Sequence, residues 1–129
     1  MRSPSFITKL RPFEDRRNEM SEETMLLRLY TDENARHGDE AVMDLVIRRA
    51  RRAGLAGATV LRGRAGFGAR TAPIHEHHAF GIADNLPVVI EMVDQEAALR
   101  AFAHTVADLH HIGLMTLERV ETLMPLRRD

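Results

Sequence analysis

The run Leu86-Pro87-Val88-Val89-Ile90-Glu91-Met92-Val93 constrains the fold more than any other stretch of the chain. It is short, rich in β-branched side chains and nearly continuous in apolar character, which makes it a strand. Pro87 lies near its beginning, where a missing N–H does least harm. Successive side chains of a strand point to opposite faces, so Val88, Val89 and Ile90 cannot all lie on one side. A strand that is apolar on both sides requires a sheet buried on both faces.

The rest of the pattern supplies cover for one face. Met25-Leu26-Leu27-Arg28-Leu29-Tyr30 reads as a first strand, and Thr31 to Gly38 as a polar turn. From Asp39 to Ala53, Val42, Leu45, Val46, Ala50 and Ala53 recur at helical spacing. Acidic residues stand at the start of that helix and Arg48, Arg49, Arg51 and Arg52 at its end, matching the helix dipole. Gly54 supplies a left-handed stop, and Ala58 to Arg62 reads as the next strand.

The second half repeats the plan. Asp94 reads as an N-cap, and Leu99, Phe102, Val106 and Leu109 form one helical face. His110 and His111 fall at the C-terminus predicted for this helix, where their positive form is favoured. Gly113 ends it, and Leu114 to Leu123 reads as the last strand. Two strand–helix–strand units in succession predict an α+β, ferredoxin-like βαββαβ sandwich with four antiparallel strands and both helices on one face. No helix remains for the other face, so a further subunit is its natural cover.

Composition agrees with one domain. The chain has 129 residues, 44% hydrophobic and 29% charged, a globular balance. A formal net charge of -1 provides no global field for nucleic acid or anionic membrane, and any anion site must be local. The absence of cysteine removes disulfides and thiolate metal sites and fits a reducing compartment. No apolar run reaches bilayer length and the N-terminus carries no secretory pattern, so cytoplasm is the expected location. Residues 1–23 mix charges of both signs without a period and read as an irregular extension, or alternatively as a short helix around Phe13 to Met20 that docks on a partner, leaving 24–124 as the domain.

Between the halves lies the segment with chemical character. Arg62-Gly63-Arg64-Ala65-Gly66-Phe67-Gly68-Ala69-Arg70 places three glycines among three arginines. Glycine lets backbone N–H groups approach an anion closely, and guanidinium forks suit phosphate. A bound anion would relieve the repulsion among Arg62, Arg64 and Arg70; a mobile loop with solvated arginines is the alternative. No Gly-Lys-Ser/Thr follows, so the loop is not a Walker motif. His75, His77 and His78 follow within four residues. In an extended segment His75 and His77 share a side and could bind a divalent ion with Glu76 or a symmetry mate, or be merely solvated. No spacing singles out a nucleophile, a base and its orienter, so a non-enzymatic role is expected, with a small enzyme acting on a phosphorylated substrate in a subunit cleft as an alternative. One tyrosine and no tryptophan leave little for stacking on nucleic acid.

The string Ala50-Arg51-Arg52-Ala53-Gly54-Leu55-Ala56-Gly57-Ala58-Thr59-Val60-Leu61-Arg62-Gly63, running into Gly66-Phe67-Gly68 and Ile74-His75, resembles the domain-of-unknown-function 190 family of PII-like proteins. Leu26 to Tyr30 and Leu86 to Asp94 fit it in the same order, so the resemblance spans about residues 24–123. It implies a homotrimer packed around the sheets and a long loop after the second strand. In the wider PII superfamily the base of that loop helps bind ATP or ADP in the subunit cleft, and the loop moves against partners, often membrane transporters. The resemblance thus assigns Arg62, Gly63, Gly66, Phe67, Gly68, Arg70 and His75 to binding an adenine nucleotide (AMP, ADP or ATP). It also suggests a transporter or ion channel as partner, since genes of the family often lie near fluoride-channel genes. Two departures stand out. Ala69 separates Gly68 from Arg70 where PII proper has a basic residue at once, and no glycine-rich loop with a lysine lies between Phe80 and Val93.

Overall fold

The computed structural model describes residues 24–68 and 85–124. Its elements are β1 (Thr24–Asp32), β2 (Arg36–His37), β3 (Glu40–Ala41), α1 (Val42–Arg52), β4 (Thr59–Arg62), β5 (Pro87–Gln95), α2 (Glu96–Val106) and β6 (Leu114–Arg119). The main sheet has the order β4-β5-β1-β6 with every pair antiparallel, and β2 pairs only with β3. This is the expected ferredoxin-like arrangement, with a small hairpin inserted before α1.

Both central strands alternate between two environments. Met25, Leu27 and Leu29 of β1 and Val88, Ile90 and Met92 of β5 are buried against Val42, Leu45, Val46 and Ala50 of α1 and Leu99, Phe102 and Val106 of α2. Cross-strand partners share a face, so the register also defines the side without helices. Leu114, Tyr30, Val89 and Leu61 form one row there, followed by Thr116, Arg28, Glu91 and Thr59, then by Glu118, Leu26 and Val93. Arg28 donates from Nε to Glu91 Oε2 at 2.9 Å and from Nη1 to Glu118. The Glu91 hydrogen bond, then Glu118, hold the guanidinium pKa above its ordinary value. This side of the sheet is therefore apolar in the Leu114–Leu61 row and at Leu26 and Val93, and charge-paired among Arg28, Glu91 and Glu118.

Local structure revises several sequence-based expectations. Helix α1 starts at Val42 rather than Asp39, because Asp39 and Glu40 belong to the turn and second strand of the hairpin, where Gly38 takes a φ of +64°. Its end is as expected: Gly54 has a φ of +79°, and Leu55 and Gly54 donate to the carbonyls of Ala50 and Arg51 in a Schellman closure. Four residues, 55–58, then separate Gly54 from β4, which starts at Thr59, one residue later than expected.

Asp94 is not an N-cap. It is a fully buried strand residue whose carboxylate accepts from Ala56 N at 2.9 Å and Gln95 N at 2.7 Å, pinning the 54–58 loop to the end of β5. Helix α2 stops at Val106, and Leu109 reaches the core from the turn beyond it. His110 and His111 thus lie outside the helix; the His111 carbonyl accepts from Thr31 Oγ1 at 2.7 Å. Strand β6 ends at Arg119, short of Leu123.

Candidate anion site at the end of the sheet

One end of the sheet gathers the C-terminal ends of β1 and β4 and the N-terminal ends of β5 and β6. Three backbone bonds fasten the segments that leave there. Glu33 N donates to Leu86 O at 2.8 Å, Gly63 N to Pro87 O at 2.7 Å, and Gly113 N to Tyr30 O at 2.9 Å. Asn34 N also donates to Asn85 Oδ1 at 3.0 Å. The chain after β1 and the chain after β4 are thus both tied to the entry of β5.

The glycines at this point have distinct reasons. A Cβ on Gly63 would lie 2.8 Å from Pro87 Cγ, closer than real side chains come, and a tight 3.2 Å from the Pro87 carbonyl oxygen. Gly63 is needed because the end of β4 rides directly on the proline. Gly66 has a φ of +152° and lies over the same ring, a backbone state other residues rarely take. Phe67 between Gly66 and Gly68 is 88% exposed, so this aromatic is not core.

Arg62, the last residue of β4, bends toward the chain leaving β1: its Nε lies 2.5 Å from Glu33 Oε2. That oxygen is enclosed yet has no aligned hydrogen bond among the described residues, so the pair is a close charge contact of poor geometry. Arg64 is exposed on the turn beyond. Of the predicted site residues, Arg62 ends β4, Gly63 and Gly66 lie on Pro87, and Phe67 and Gly68 follow on the exposed side. Arg70, His75, His77 and His78 lie outside the described residues. Sequence reasoning missed Glu33, Asn85 and Pro87 as parts of this end. Pro87 at the head of the strongest strand was visible, but its packing on Gly63 depends on the β4–β5 register, which pairs Arg62 with Val88.

The arrangement can present cationic and backbone donors to an anion at the rim of the sheet, beside an exposed aromatic. Among the described residues no cluster of three His, Asp or Glu side chains could hold a metal ion. No helix among them is long and apolar enough to cross a membrane.

Comparison with known proteins bears on this geometry. The DUF190 family profile (Uncharacterized ACR, COG1993) matches residues 24–122. A UPF0166 protein of Aquifex aeolicus (strain VF5) is 38% identical over 98 residues, 76% of this chain and 91% of its own length. Among solved structures, CPII from Thiomonas intermedia K12, bound to ADP, AMP and acetate, superposes with a TM-score of 0.56 at 16% identity. That match covers 79% of this chain and 90% of CPII. A candidate PII-like signaling protein from Thermus thermophilus gives a TM-score of 0.52 at 13% identity, over 77% of this chain and 88% of the other. At such identities the two structures establish a PII-like fold.

Proposed function

The chain belongs to the DUF190 family, and from that premise we propose that it is a non-enzymatic regulator of the PII-like type, sensing an adenine nucleotide through the turn after β4. The observation that carries this reading is the packing of Gly63 on Pro87. It brings Gly63 and Gly66 onto one proline next to Arg62 at the rim of the sheet, which supports a site where phosphate oxygens reach guanidinium and N–H donors. CPII, of similar fold, is bound to ADP and AMP, which supports an adenine nucleotide as the ligand class.

The helix-free side of the sheet supports assembly. Its apolar side chains leave water when other copies of the chain cover them, and the Arg28–Glu91–Glu118 group enters such an interface already paired. In a homotrimer of cytoplasmic protomers the turn after β4 then lies at a seam between subunits. Binding shifts the loop only by the ligand's differential affinity for its two states, and the partner surface, such as that of a membrane transporter or channel, reads the result.

Calorimetry of the full chain with AMP, ADP and ATP tests the reading directly. Saturable heat in wild type that Arg62→Ala weakens is the expected result. No heat in either protein at millimolar nucleotide would remove the nucleotide from the proposal.

A further inference from the structure

Resting on the reading just given, we propose that Glu33 is the residue that sets anion affinity at this site, as an internal counter-anion that an incoming phosphate must displace from Arg62. Four observations carry it. Glu33 Oε2 lies 2.5 Å from Arg62 Nε, so the guanidinium already has an anion. The oxygen is enclosed but lacks an aligned hydrogen bond among the described residues, so the carboxylate is held close without its lone pairs being satisfied. The Arg62 side chain is 65% exposed against 24% for Glu33, so the arginine can leave the pair and the carboxylate is the fixed member. Finally, the chain is anchored at Glu33 and immediately after Arg62 to adjacent carbonyls of one segment, Glu33 N to Leu86 O and Gly63 N to Pro87 O. The two backbones are therefore held opposite each other, whether or not the Arg62 side chain is engaged with Glu33.

A phosphate oxygen binds guanidinium more strongly than a carboxylate when it brings more charge in a matching geometry. Binding at Arg62 is then an exchange of one anion for another, and the carboxylate's charge opposes any phosphate that approaches. A carboxylate that merely aimed Arg62 at the ligand would act with the opposite sign. The chemistry recognised is a di- or triphosphate group. Neutral or weakly charged ligands lack the charge to displace Glu33.

The experiment is titration calorimetry of the full chain with ADP and with inorganic pyrophosphate, on wild type, Glu33→Gln, Arg62→Gln and the double variant. Glu33→Gln is expected to bind both probes about two- to fivefold more tightly, the equilibrium factor of a partly exposed ion pair. The gain must vanish when the substitution is made in Arg62→Gln. Circular dichroism and a thermal melt verify the fold of each variant, and Glu33→Ala repeats the measurement if Glu33→Gln is unstable. Binding by wild type that Glu33→Gln leaves unchanged or weakens overturns the inference while the nucleotide reading stands. A gain that survives in Arg62→Gln overturns it too, since Arg62 is then not the competing cation. Absence of binding by every variant sinks the nucleotide reading and the inference with it.

Discussion

Gly63→Ala is the sharpest perturbation of the proposed loop base. The added methyl carbon would sit 2.8 Å from Pro87 Cγ and 3.2 Å from Pro87 O, whereas carbon atoms attract best at about 3.5–4.0 Å. A pyrrolidine ring cannot swing aside, and the carbonyl beneath it accepts the Gly63 N–H at 2.7 Å. Relief must come from lifting the end of β4 off β5. Overpacking of this kind costs about 1–3 kcal/mol, and loss of the hydrogen bond adds about 1 kcal/mol. The expected total is about 2–4 kcal/mol. Pro87→Ala removes the Cγ but leaves the carbonyl, so in that background Gly63→Ala should cost about half as much. Urea unfolding at one protomer concentration measures all four proteins, with an unchanged slope showing that only stability moved. A cost below about 0.5 kcal/mol, the ordinary range of a surface change, would refute the close-approach reasoning. So would equal costs in the two backgrounds. Nucleotide affinity should fall in Gly63→Ala and partly return in the double variant.

Three further outcomes follow from the packing and charges. Asp94→Ala should destabilise by about 2–4 kcal/mol, because two backbone donors, Ala56 N and Gln95 N, lose a buried carboxylate; a loss under about 1 kcal/mol in urea would contradict the pinning role. Val89→Glu, in the apolar row of the helix-free face with Tyr30 and Leu61, should leave a lone protomer in light scattering while the circular dichroism is preserved; an unchanged assembly would place the proposed interface elsewhere. The hydrogen bond from Arg48 holds the Glu40 carboxyl below its ordinary pKa. That contribution to stability is full above the unfolded-chain value and fades as pH falls through the folded one. Glu40→Gln should accordingly lower stability at neutral pH and leave the acid end unchanged, and a pH-independent loss would contradict the pairing.

The order of strands and helices was legible because it depends on local periodicity. Apolar residues on both sides of residues 86–93, a helical stripe from Val42 to Ala50 and the Gly54 stop are properties of neighbours in the chain, and the fold follows them. Expectations failed where a distant residue decided the outcome. Asp94 has the chemistry of an N-cap, but Ala56, brought close by the α1–β4 loop, competes for its carboxylate and draws it into the core. The helix expected from Asp39 gives way to a hairpin, in which Arg48 of α1 pairs with Glu40. The glycines after β4 were visible as a flexible, anion-friendly run, yet their reason was not. Only the sheet register sets Pro87 beneath Gly63, and only the meeting of two loops at one rim gives Arg62 its partner in Glu33. By itself the sequence determined which segments pair with water and which with a core, since hydrophobic spacing is a one-dimensional property. Charge neutralisation and close backbone approach depend on distances across the sheet, and those exist only once the strands have chosen their neighbours.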